Sequence, residues 1–439
     1  MKRILSLTAA GTSLVLGLSV AEAAAPDQSL IEKGHYLAAA SDCAACHSTK
    51  GRPAYSGGTS FSLPIGKIYS TNITPDPDHG IGRYSEAEFA RALRQGIRRD
   101  GATLYPAMPY PSYARLTDED IQALYAYFHD GVKAAAVSPP SNEITWPLSM
   151  RWPLTFWRWM FAPAPAKAQT TTLKEYTDPQ LARGAYLVEG PAHCGACHSP
   201  RAITMQEKAL TSSESPQYLA GGAEVDGWMP PSLRQEDRTG LGRWSEEDIV
   251  AFLKTGRNAR SASFGSMTEA VMHGTQHLTD ADLTAIAKYL LSLPPTRQGE
   301  DKWQNDPATA NALHRADLSQ RGAKVYVDRC AACHRTDGKG YPSVFPPLAG
   351  NPVVMGEDPA SLVHIVQRGA ALPGMEAAPS GFTMPSFGKK LSDEDIADVV
   401  TFIRQAWGNK APAVSADDVR KLKASMPPPN MADGNLSLN

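Results

Sequence analysis

Hydrophobic and polar positions along this chain fall into an order that recurs three times. A short helical pattern opens each copy, as "KGHYLAAASD" from Lys33, "RGAYLVEGPAH" from Arg183 and "QRGAKVYVDR" from Gln320. A second helical stripe follows in "IGRYSEAEFARAL" and "LGRWSEEDIVAFL". There Ser85 and Ser245 occupy N-cap places with Glu88 and Asp248 three residues later, a capping-box spacing in which Asp is the shorter partner. The third copy has "GEDPASLVHIV" in that place. Each copy closes with another stripe, "LTDEDIQALYAYF" from Leu116, "LTDADLTAIAKYL" from Leu278 and "LSDEDIADVVTFI" from Leu391, capped by Thr117, Thr279 and Ser392. The pattern predicts an all-α, loop-rich chain of three tandem domains. The 35 glycines and 35 prolines agree with long loops.

The stretches between these copies set the boundaries. Residues 1–25 run from Lys2 and Arg3 through "ILSLTAAGTSLVLGLSV" to small residues, the order of a secretory signal peptide cleaved after Ala23 or one of the next two alanines. Domain one then spans 26–137, a linker 138–172, domain two 173–293, a second linker 294–315, domain three 316–412, and a polar, proline-bearing tail 413–439. The tail is expected to drape on a partner or to be loosely ordered. No segment after the leader is long and apolar enough to span a bilayer. The mature chain is therefore expected to be exported and to touch a membrane only from the surface. A net charge of -2 and the absence of a charged tail give no reason to expect nucleic acid.

Export makes disulfides the default for paired cysteines, but the spacing argues otherwise. All six cysteines stand in one five-residue pattern: Cys43, Cys46 and His47; Cys194, Cys197 and His198; Cys330, Cys333 and His334. A disulfide needs no histidine after the second cysteine, and a structural zinc site needs further ligands. Covalent haem accounts for every position: two thiols a helical turn apart reach both vinyl groups, and the next imidazole lies beneath the iron. The sequence thus predicts three covalently attached haem c groups.

A sixth ligand is sought in a downstream methionine, whose soft sulfur favours reduced iron. "LYPAMPYPSYARLTDED" supplies Met108 and "GFTMPSFGKKLSDED" supplies Met384, each beside a proline and ahead of the capped closing helix. Unit two offers Met267 and Met272 in "SASFGSMTEAVMHGTQHLTDAD", and His273 and His277 leave a bis-histidine arrangement open. Spacing slightly favours Met272. Six-coordinate iron has no open position, so the expected chemistry is one-electron exchange. The competing class is a self-sufficient multihaem peroxidase-like enzyme, for which only unit two is a candidate.

The stretches "YSTNITPDPDHGIGRYS", "DGATLYPAMPYPSYARL", "WPLSMRWPL", "GAYLVEGPAHCGACHSPRA", "GLGRWSEEDIVAFLKTGR" and "FPPLAGNPVV" resemble the triheme cytochrome c subunits of membrane-bound bacterial sugar, sugar-acid and alcohol dehydrogenases, over nearly the whole mature chain. "RWMFAPAP" and "PRAITMQEKAL" look most like the cytochrome subunit of flavin-dependent gluconate 2-dehydrogenase, with that of quinoprotein alcohol dehydrogenase close behind. The resemblance implies three cytochrome c-type domains that pass electrons from a flavoprotein dehydrogenase large subunit to ubiquinone, with a small third subunit in the complex. It also implies an F-G-x-M setting for the second axial methionine, which selects Met267 in "FGSM". No substrate-oxidising site is expected in this chain, since no G-x-G-x-x-G follows a strand pattern.

Trp146, Trp152, Trp157 and Trp159 crowd the first linker with Arg151 and Arg158. They are expected to pack the seam between units one and two, with a membrane interface as the alternative. His79 and His364 read as surface or packing residues, and Arg94, Arg98 and Arg99 as a solvated helix face with propionate pairing as the alternative.

Overall fold

The computed structural model describes residues 27–63, 65–174, 176–297 and 299–426. The leader expected at 1–25 lies outside the described residues, as does the end of the tail from 427. Each of three helical units has an opening, a middle and a closing helix. They are Gln28–Ala40, Glu86–Gln95 and Asp118–Ala126 in unit one; Pro179–Glu189, Glu246–Thr255 and Asp280–Ser292 in unit two; and Ala323–Arg329, Ala360–Arg368 and Asp393–Gln405 in unit three.

The caps lie where the side-chain pattern places them. Ser85 with Glu88, and Ser245 with Asp248, form complete capping boxes. Thr117, Thr279 and Ser392 accept the backbone N–H three residues on. One glycine in each opening helix, or at its N-cap in unit three, sets how closely that helix crosses the closing helix. A methyl on Gly34 would lie 2.0 Å from the Ala123 carbonyl oxygen, one on Gly184 2.0 Å from that of Ala285, and one on Gly322 2.2 Å from that of Asp398. Only hydrogen fits there. Around each crossing lies a separate core: Leu37, Phe89 and Phe128 in unit one, Leu187, Tyr218 and Tyr289 in unit two, and Tyr326, Phe402 and Trp407 in unit three. Burying each of these side chains stabilises its unit by roughly 1.5–3 kcal/mol.

The all-α expectation needs two qualifications. Ser60–Leu63 and Gly66–Tyr69 form an antiparallel hairpin that Glu143–Ile144 extends. Ala370–Leu372 pairs with Phe382–Met384, which places Met384 opposite Ala370. The tail reading is overturned over its first part. Ala416–Ser425 is a helix opened by a Ser415–Asp418 capping box, and its Val419 is fully buried in the core of unit three. The spacing of Val419, Leu422 and Met426 turns one apolar edge of an otherwise charged segment toward that core.

Units one and two pack about a local pseudo-twofold relation. Tyr36 on the first opening helix donates to Asp282 on the second closing helix. Tyr186, its counterpart in unit two, donates to Asp120, the counterpart of Asp282. Lys33 and Arg183 brace the same two carboxylates from within their own units, at 2.8 and 2.6 Å. Unit three joins unit two differently. The ring of His364 stacks on Trp228 at 4.1 Å, and the Met229 N–H donates to Ser361 Oγ at 2.8 Å.

Candidate haem centres

Each Cys-x-x-Cys-His stretch forms one short helical turn after the opening helix. All six cysteines are unpaired thiols. Burial pushes those of Cys46, Cys194 and Cys330 up to about 12 and that of Cys197 to about 11, while Cys43 rises further.

The three histidines share one geometry. Nδ1 of His47 lies 2.7 Å from the Thr71 carbonyl oxygen, Nδ1 of His198 2.8 Å from that of Pro231, and Nδ1 of His334 3.0 Å from that of Pro346. A carbonyl oxygen only accepts, so each Nδ1 carries the proton and each Nε2 keeps its lone pair. Burial pulls all three imidazoles below the usual histidine range, with the carbonyl bonds opposing in part, and holds them neutral. A neutral imidazole oriented through Nδ1 is the form that ligates iron. Buried donors without an acceptor include Arg94 Nε and Nη2 and Trp228 Nε1. A carboxylate-bearing planar group fits such donors.

The methionines divide. Met108 and Cys43 flank the core of unit one, and Met384 and Cys330 flank that of unit three. In unit two Cys194 flanks the unit's own core, whereas Met267 and Met272 pack on Val271, Leu372 and Met375 at the boundary with unit three. The helix Ser266–His273 carries both methionines and His273, whose side chain pairs with Glu269; His277 pairs with Glu376.

Other side chains depart from their expected settings. Arg94 is buried and holds Asp118 at 2.6 Å, so only Arg98 and Arg99 of that run reach solvent. Of the four linker tryptophans Trp157 alone fills the seam, donating to the Thr204 carbonyl and lying edge-on to Tyr110. Trp146, Trp152 and Trp159 are 80, 62 and 79 % exposed, which overturns the seam reading for those three. His79 pairs with Asp76, and His364 is a buried packing residue. Sequence reading missed Glu207 and Arg201, which lie beside the second motif. Their only signal was the glycine of "CGACH", which stands where the other two motifs have alanine.

The family model for cytochrome c matches residues 31–130, 181–294 and 319–407. The chain is 54% identical over 420 residues to the cytochrome c subunit of alcohol dehydrogenase (quinone) from Komagataeibacter europaeus, covering 95% of this chain and 89% of that protein. It is 53% identical over 417 residues to the gluconate 2-dehydrogenase cytochrome c subunit of Pantoea cypripedii, covering 94% of each. It is 38% identical over 417 residues to the fructose dehydrogenase cytochrome subunit of Gluconobacter japonicus, covering 90% of this chain and 82% of that protein. Three repeated units, three alike histidines and three matched segments lead to one conclusion: the chain belongs to the cytochrome c family and carries three cytochrome c segments in tandem.

Proposed function

We propose that this chain is the electron-transfer subunit of a membrane-bound dehydrogenase complex and carries three covalently attached haem c groups. The observation that carries the reading is the threefold histidine geometry, with Nδ1 tied to a carbonyl and Nε2 left for iron. Cys43 and Cys46, Cys194 and Cys197, and Cys330 and Cys333 would form the thioether links. His47, His198 and His334 would be the proximal ligands, with Met108, Met267 and Met384 opposite. A haem c held in this way supplies one-electron exchange at its edge. The chain's own residues fix imidazole orientation, exclude water and set the spacing of the units.

The proposed donor is a flavoprotein large subunit that oxidises gluconate, with a small third subunit in the complex, and the proposed acceptor is membrane ubiquinone. The similarity to the cytochrome c subunit of a quinone alcohol dehydrogenase, within one percentage point of that to the gluconate relative, favours an alcohol-oxidising partner as the second reading. The proposed location is the periplasmic face of the inner membrane after removal of the leader. Among the described residues no helix is long and apolar enough to cross a membrane. The exposed tryptophans support peripheral contact instead.

The test is to purify the complex from membranes, count haems on this chain by mass spectrometry, and add substrates while watching haem reduction. Three adducts and reduction by gluconate support the proposal. Reduction by ethanol and not gluconate would reassign the partner. Fewer than three adducts, or a carbon monoxide shift in the reduced wild type, would overturn the triheme conductor.

A further inference from the structure

We propose that the cleft between units one and two, beneath the linker helix Trp152–Phe161, binds the head of a membrane-dissolved quinone and is where electrons leave the chain. This rests on the electron-transfer reading above and locates its acceptor site.

Two haem-bearing elements meet at this cleft. One wall is Pro106, Ala107 and Pro109, the loop that presents Met108. The opposite wall includes Ala196, between Cys194 and Cys197. The first and second motifs are themselves neighbours, for the ring of His193, just before Cys194, lies 5.5 Å from that of Tyr113, whose hydroxyl donates at 2.9 Å to the Ser41 carbonyl just ahead of Cys43. Trp157 and Phe161 close the top, while Arg201 and Glu207 stand at the polar end. The cleft offers about 80 Å³ of space. A cavity of roughly 150 Å³ is needed to enclose benzene, so the leading carbonyl edge of a quinone ring fits inside and its chain must leave past the linker helix.

Glu207 is the group that asks for a ligand. Its Oε2 is shut off from solvent and has no hydrogen-bond partner. Arg201 does not supply one, since its guanidinium donates to the carbonyls of Met205 and Ala196. Gly195 makes the space: a methyl there would lie 2.6 Å from Glu207 Oε2, and the other two motifs carry Ala44 and Ala331 in that position. Burial pushes the Glu207 carboxyl up to about 7, helped by Glu214 and opposed by Arg201 and Arg115. A carboxyl poised there can carry a proton at neutral pH.

The roof faces lipid. Trp152, Phe156, Trp159 and Met160 form the outward side of the helix and are exposed. Residues 144–174 contain Arg151, Arg158, Lys167 and Lys174 and no acidic residue, and cations beside exposed aromatic rings suit a bilayer surface with anionic headgroups.

The chemistry balances. The quinone takes two electrons, one from each of two ferrous haem c groups that become ferric, and two protons. One proton comes from the Glu207 carboxyl, which recovers it from solvent, and the other from water at the cleft mouth. Both carbonyl oxygens become hydroxyls and leave as the quinol.

The test uses the membrane-purified complex with decylubiquinone and, as a probe of haem oxidation without protons, ferricyanide. Glu207→Gln is expected to lower the ratio of decylubiquinone to ferricyanide turnover at least ten-fold and to remove a limb near pH 7 from the quinone profile. Trp157→Ala is expected to raise the decylubiquinone KM several-fold. An azidoquinone photolabel on the wild-type complex, read by peptide mass spectrometry, is expected within residues 105–111, 152–161 or 195–210. An unchanged ratio with an unchanged pH profile, or a label confined to other segments, overturns the assignment. Wild-type complex that reduces ferricyanide but no quinone refutes the acceptor reading on which the site rests, whereas a quinone-active complex labelled only in other segments refutes the site alone.

Discussion

Tyr36 reaches across the boundary of units one and two to place its hydroxyl 2.5 Å from an Asp282 carboxylate oxygen, and Tyr186 makes the return contact with Asp120. Each hydroxyl also accepts the N–H of the partner unit's cap residue, Thr279 or Thr117. One phenol thus ties together a carboxylate and a helix start.

Removing either hydroxyl is expected to loosen the joint. A hydrogen bond to a charged group contributes about 1.5–3 kcal/mol. Tyr36→Phe and Tyr186→Phe should each lower stability by about that amount in urea unfolding of the haem-loaded chain. Losses below about 0.5 kcal/mol in both would show that the joint is held by something else.

The same joint makes stability sensitive to acid. Burial would raise the Asp282 pKa, but hydrogen bonds from Arg183 and Tyr36 outweigh it and hold the carboxylate below its usual 3.8. The contribution of a carboxylate depressed in the folded state is complete above its unfolded pKa and is lost as pH falls through the folded value. The urea midpoint should therefore drop as pH falls below about 4. Asp282→Asn should flatten that drop. An equally steep decline in the variant would rule Asp282 out as its source.

Methionine replacement separates the candidate axial ligands. Met108→Ala and Met384→Ala should each open one iron, add one equivalent of carbon monoxide binding and lower one of three potentials by on the order of 100 mV, within the roughly 0.8 V that axial ligation spans. For unit two the pair Met267→Ala and Met272→Ala decides. Carbon monoxide binding in the second and not the first would move the ligand to Met272.

Gly34→Ala or Gly184→Ala would drive a methyl to 2.0 Å from a carbonyl oxygen at the helix crossing. The helices must separate, at a cost of about 1–3 kcal/mol. Thermal melting should fall by several degrees, with normal haem content in whatever folds. Unchanged melting in both variants would contradict the crossing described here.

Trp152→Ser with Trp159→Ser removes two exposed rings from the linker helix. Co-sedimentation with anionic vesicles should fall at least ten-fold at low salt. Retained binding would place the membrane contact elsewhere.

Helix starts were legible and long-range pairing was not. The caps at Ser85, Ser245, Thr117, Thr279 and Ser392 depend on residues three apart, so short windows hold the whole signal. Burial of Arg94 depends on Asp118, and the place of Glu207 depends on Gly195 and the Met108 loop. No window contains both members of such a pair. The linker tryptophans misled for a related reason: aromatic residues at helical spacing describe a stripe, and a stripe does not state which side meets protein. The helix Ala416–Ser425 was hidden because charge dominates it and only Val419, Leu422 and Met426 mark its apolar edge.

Unit three repeats the opening helix of the other two, but Lys324 stands where they carry Tyr36 and Tyr186. Its ammonium pairs with Asp328 on its own helix and stays at the surface. Three sibling modules on one chain face an assembly ambiguity, because a shared interface lets any two dock. A lysine in the third removes two of the three possible couplings and leaves one, so a single side chain acts as an address that tells the folding chain which neighbours are meant to meet.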